Sequence, residues 1–149
     1  MFEKLNYIEL SGVTYPIKCD MAVLEQIQEK YGDLQGFEKK IYRFHPTLDE
    51  NGVKMTNEEG LAMGTLDYPD VRAVADVLFW MVSEGLEIEA EEAGKEMREV
   101  SRKELLRKID ASPIDIGDAL HDEYVRCFQR KNVRTTQDQE KRKKAGTSK

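Results

Sequence analysis

Histidine, cysteine and tryptophan are scarce: His45 and His121, Cys19 and Cys127, and Trp80 are the only examples in 149 residues. Two cysteines without a Cys-x-x-Cys pair exclude a zinc ribbon and a disulfide framework. Each lies in an apolar pattern, as a reduced thiol of a cytosolic protein does, and nothing in the sequence pairs them. His121 and Cys127 are six residues apart, about 240° around one helix, so they do not form a catalytic dyad on one face. No apolar run reaches the roughly 20 residues of a membrane span. Met1-Phe2-Glu3-Lys4 lacks the charged-then-apolar layout of a signal peptide. Glycine never falls in a phosphate-binding arrangement. Gly94-Lys95 is followed by Glu96, and Gly60 and Gly64 do not make a dinucleotide fingerprint. No catalytic residue, cofactor or metal is therefore expected.

Two weaker patterns are present. An EF-hand frame fits over residues 47–58, with Asp49, Asn51, Gly52 and Glu58 in ligand or turn positions. Thr47 stands where the first Asp belongs, and Pro46 breaks the entering helix, so Asn51-Gly52 reads as a plain turn. Asp118, Asp122 and Glu123 around His121 read as dense exposed charge rather than an acid–base site.

What the chain does have is charge. Charged residues make up 35% of it and the net charge is −6, unevenly spread. Residues 130–149 carry eight basic side chains against Asp138 and Glu140, giving +6, which leaves −12 on residues 1–129. An acidic body repels nucleic acid, and only the basic tail, with Arg142, Lys143 and Lys144 at its centre, would attract a polyanion or an acidic partner. No aromatic residue interleaves that tail, so stacking on single strands is not supported.

The apolar pattern predicts an N-terminal β-hairpin over residues 5–19, turning at Ser11-Gly12, with Val13, Tyr15, Ile17 and Cys19 on one face. Pro16 marks an edge or a bulge. Asp20 caps a helix that stops at Gly32, and a second helix spans residues 34–44 and stops before His45-Pro46. Residues 46–68 form a small exposed hairpin or a mobile loop. The strongest helix spans residues 68–84, with Pro69 in its first turn and Gly85 as its stop. A solvated acidic helix follows over residues 87–99. Ser101 and Ser112 cap the last two helices. No internal repeat is visible. This is an α+β fold, predominantly α-helical: an N-terminal β-hairpin followed by a small helical bundle. Residues 1–130 form one domain and residues 131–149 a basic, disordered tail.

On the helix of residues 68–84, Val71, Val74, Ala75, Leu78, Met81 and Val82 make an apolar stripe. Phe79 and Trp80 lie about 100 to 180° from its middle. They are the candidate partner-binding residues, because a helix apolar on most sides is either central to its fold or covered by a partner.

The wording of several segments is similar to one family. Ile8-Glu-Leu-Ser-Gly-Val-Thr-Tyr-Pro-Ile17, Asp20-Met-Ala-Val-Leu24 and Ile27-Gln-Glu-Lys-Tyr-Gly32 resemble the N-terminal half of tail assembly chaperones from long-tailed phages of Gram-positive bacteria. Ala75-Asp-Val-Leu-Phe-Trp-Met-Val-Ser-Glu-Gly85, Ser101-Arg-Lys-Glu-Leu-Leu106 and Ser112-Pro-Ile-Asp-Ile-Gly117 look like the same proteins. The family pattern does not include an insertion around residues 49–59. The resemblance implies a non-enzymatic chaperone that binds the tape-measure protein and helps recruit tail-tube subunits. It implies a homo-oligomer in the host cytoplasm, absent from the mature virion. It also implies a longer form made by ribosomal frameshifting near the C-terminus, where Lys143-Lys144 fits an A-rich slippery message. The alternative reading is a nucleic-acid-associated regulator, or another phage interaction protein, acting through the basic tail. Membrane contact is not expected, and nucleic acid is not the expected partner.

Overall fold

A computed structural model describes residues 4–129. The basic tail, with Arg142, Lys143 and Lys144, lies outside the described residues. The elements run β1 (Asn6–Leu10), β2 (Val13–Ile17), α1 (Met21–Tyr31), α2 (Leu34–Ile41), β3 (Arg43–Pro46), β4 (Gly64–Asp67), α3 (Val71–Ala93), α4 (Arg102–Lys108) and α5 (Pro113–Cys127). Two separate two-stranded sheets, β1-β2 and β3-β4, accompany a helical body, the expected small α+β arrangement. No helix among the described residues is long and apolar enough to cross a membrane.

β1 and β2 pair antiparallel from Asn6 opposite Ile17 to Leu10 opposite Val13. Ser11 (φ 50°) and Gly12 (φ 78°) both take positive φ, the backbone a two-residue hairpin of twisted strands requires. Ser11 has a Cβ that disfavours positive φ, and its hydroxyl holds the turn in place by donating to the Lys108 carbonyl at 2.6 Å. Cap chemistry sets most helix starts. Asp20, Asp70, Ser101 and Ser112 each accept a backbone N–H from the third residue on, and Asp33 accepts from the second. Gly32 and Gly94 end α1 and α3 at positive φ.

α3 is the central element, contacting β2 and all four other helices. It starts after Asp70 and runs to Ala93, so two expectations are corrected: Pro69 lies outside the helix, and Gly85 is not its stop. Gly85 is where α3 meets the hairpin. A Cβ there would lie 2.5 Å from the Pro16 carbonyl oxygen, and only hydrogen fits. Beside it the Lys18 N–H donates to the Met81 carbonyl at 3.0 Å, joining strand backbone to helix backbone. This close crossing buries Pro16 and Lys18 as well as Tyr15, Ile17 and Cys19. The first half of the acidic run continues α3, and residues 96–100 are not helical.

The core gathers Leu10, Tyr15, Ile17, Val23, Ile27, Phe37, Ile41, Val77, Leu78, Met81, Leu105, Leu120 and their neighbours into one cluster. Two buried carboxylates tie elements across it. Asp76 accepts from Lys30 Nζ (2.5 Å), Tyr31 Oη (2.6 Å) and Arg102 Nε (3.1 Å), linking α3 to α1 and α4. Glu123, read from sequence as exposed, is buried. It accepts from Asn6 Nδ2 (2.9 Å), the Cys19 N–H (2.8 Å) and Arg126, linking α5 to the hairpin and its exit.

Candidate functional site: an apolar arm

α2 ends at Ile41, three residues before the expected stop, because residues 43–46 are taken into a ladder with residues 64–67. The seventeen residues between form an arm, every one from Thr47 to Met63 exposed. The arm holds two short hairpins, closed by bridges between Leu48 and Lys54 and between Thr56 and Ala62. They are copies of each other. Asp49 Oδ1 accepts from the amides of Asn51 and Val53, each at 2.9 Å, and Gly52 turns at φ 77°. Eight residues on, Asn57 Oδ1 accepts from the amides of Glu59 and Leu61 at 2.9 and 3.0 Å, and Gly60 turns at φ 80°. The sequence therefore contains an eight-residue repeat, contrary to expectation. It is Asp49-x-x-Gly52-Val53-x-Met55 against Asn57-x-x-Gly60-Leu61-x-Met63.

Three backbone hydrogen bonds close the arm at its root. The Met55 N–H donates to the Thr47 carbonyl (2.8 Å), the Met63 N–H to Met55 (2.9 Å), and the Thr47 N–H to Met63 (2.8 Å). The three bonds form a ring, with the β3-β4 ladder and the two hairpins as its three spokes. Asp49 Oδ1 is engaged by its own turn, and Glu58 lies in the other hairpin. The EF-hand frame therefore does not form, and no metal-binding cluster of three or more ligands exists among the described residues.

Eleven large hydrophobic side chains are exposed among the described residues, and five of them are on this arm: Leu48 (53%), Val53, Met55, Leu61 (59%) and Met63. The arm is also acidic, with Asp49, Glu50, Glu58 and Glu59 against Lys54. Exposed apolar side chains concentrated on one segment mark a contact surface, and methionine adapts to varied partners. Below the arm lies a cleft of about 480 Å³ lined by Lys39, Lys40, Tyr42, Arg43, Phe44 and His45. There Tyr42 stacks on the His121 ring at 3.9 Å, and His121 Nε2 lies 2.8 Å from Glu38.

Phe79 and Trp80, the contact residues expected from sequence, are half-buried and pack against the core. Trp80 meets the Tyr31 ring edge-on at 6.4 Å. Their position off the stripe follows from helices and strand surrounding α3 on several sides. Of the two expectations for residues 46–68, the small exposed hairpin is nearer the structure, which has two of them in a row. The signal that could have found the pair is the Asp/Asn-x-x-Gly-apolar spacing, repeated at eight residues.

His45 faces Asp67 at 3.5 Å and His121 faces Glu38 at 2.8 Å. The chain matches no family model, no curated protein and no solved structure.

Proposed function

We propose that the protein is a non-enzymatic tail assembly chaperone that holds a long helical client, the tape-measure protein, and helps recruit tail-tube subunits. The reading starts from the resemblance of residues 8–32, 75–85 and 101–117, and the arm, which is outside that pattern, supports it with five exposed apolar side chains and four carboxylates that a client can meet. A helical client offers an apolar stripe that such side chains cover, and basic flanks on the client complement the four carboxylates. The net −12 of residues 1–129 keeps a coated client soluble. Self-association lines several copies along one client. The site of action is the host cytoplasm, with no place in the finished virion.

The arm can be removed cleanly. Pro46 and Gly64 are opposite each other in the β3-β4 register, so residues 47–63 can be replaced by Asn-Gly, a two-residue hairpin turn. Co-expressed with the tape-measure protein of the same genome, the intact chain should keep that client in the soluble fraction. The shortened chain should keep its helical circular dichroism and lose the client to the pellet. A shortened chain that still solubilises the client would overturn the assignment of the arm. An intact chain that never does so would overturn the chaperone reading.

A further inference from the structure

Cys19 and Cys127 are 108 positions apart, yet they meet. Cys19 follows β2 and is fully buried, while Cys127 closes α5 and is half-buried. The Cys19 N–H donates to Glu123 Oε2 at 2.8 Å. Glu123 lies one helical turn before Cys127, on the same face of α5. The hairpin exit is thereby clamped beside the last turn of α5, and the two thiols share a side-chain hydrogen bond. They are the only cysteines in the chain.

We propose that Cys19 and Cys127 form a thiol-oxidation site, converted to an intramolecular disulfide by low-molecular-weight disulfides of the glutathione type. The two thiols have different roles. The Cys127 thiol beside it and burial both push the Cys19 thiol up, and Cys19 is closed off from solvent, so the half-buried Cys127 is the thiol that a small disulfide reaches first. The half-buried Cys127 thiolate attacks one sulfur of the small disulfide. A Cys127 mixed disulfide forms and one small thiolate leaves. Cys19 then attacks Cys127 Sγ, passing its proton to the second departing thiolate. The protein loses two electrons and two protons, and the small disulfide becomes two thiols. The product ties the exit of the N-terminal hairpin to the end of α5.

The test uses the full chain, purified reduced and then incubated with oxidised glutathione. The expected result is loss of both alkylatable thiols, an intact mass lower by two hydrogens, and one cross-linked peptide containing Cys19 and Cys127. The oxidised chain should unfold at higher urea concentration than the reduced one. In Cys127→Ser, which keeps the half-buried site polar and small, Cys19 should stay unmodified in the folded protein and the urea midpoint should not respond to oxidant. A glutathione adduct that persists on Cys127, a disulfide between two chains, or thiols that survive while the urea-unfolded chain reacts would each overturn the proposal.

Discussion

Replacing Asp76 by Asn tests whether the buried carboxylate holds α1, α3 and α4 together. Asp76 is about 5% exposed and accepts three hydrogen bonds, two from cations. Breaking a buried ion pair costs about 3–5 kcal/mol when the surviving charge is trapped. Here the surviving charges are not trapped, since the side chains of Lys30 and Arg102 are 45% and 42% exposed and can turn to water. The asparagine also keeps one carbonyl for Tyr31. The expected loss is therefore lower, about 2–3 kcal/mol at neutral pH, or roughly 4–12 °C in midpoint for a chain of this size. The pH dependence has a definite sign. Burial pushes the Asp76 carboxyl up, but hydrogen bonds from Lys30, Tyr31 and Arg102 outweigh it and hold the carboxyl below its ordinary value. The stabilisation is then complete above the unfolded value of about 4 and is lost as pH falls through the lower folded value. Urea unfolding of both proteins from neutral to acid pH is the assay, and the gap between them should close at the acid end. A gap below about 0.5 kcal/mol at neutral pH, within the range of an ordinary surface substitution, would refute the reasoning. A gap that stays undiminished in acid would do the same.

Gly85→Ala should destabilise by about 2–3 kcal/mol in chemical denaturation, because the new Cβ strikes the Pro16 carbonyl, although alanine is the better helix former by about 1 kcal/mol. Trp80→Ala should lower stability by about 2–3 kcal/mol through its packing on Tyr31, and the variant should still solubilise the client in the co-expression assay. The Glu84 carboxyl, pushed up to about 8 by a hydrogen bond to Asp20 and by burial, should make Glu84→Gln more stable than the parent in alkaline solution. A raised acid contributes most below its unfolded value, near 4, and that contribution is lost as pH rises through about 8. The thermal midpoints of the two proteins should therefore separate with increasing pH.

Features decided by neighbouring residues could be read from the sequence. Asp20 and Gly32 bound α1 as expected, and Ser101 and Ser112 cap α4 and α5, because each cap bonds within three or four residues of itself. Gly85 misled because a glycine after an apolar helix looks like a C-terminal stop, and the sequence does not show a strand crossing over it. The true stop, Gly94, is hidden in a run of glutamates. α2 is shorter than its apolar stripe suggests because the partner that draws Phe44 into β3 is Leu66, twenty-two residues away. Half of the candidate site was open to view, in Asn51-Gly52. Its repeat was masked by conservative exchanges: Asn57 stands in for Asp49 as the acceptor, and Leu61 for Val53. Phe79 and Trp80 stand out in the sequence as off-stripe residues, and in the structure both are half-buried against the core, with Trp80 on Tyr31.

The ring of Thr47, Met55 and Met63 counts residues. Each spoke must deliver its end at a fixed place, so one residue added between Val53 and Asn57 shifts a partner out of the ring and opens all three bonds at once. The turns at Asn51-Gly52 and Glu59-Gly60 lie outside the closed circuit, and chain inserted there does not disturb the count. The arm is thus forgiving at two points and unforgiving between them. A foreign peptide spliced into either tip would be displayed on a hydrogen-bonded stalk, with both ends of the splice held close together.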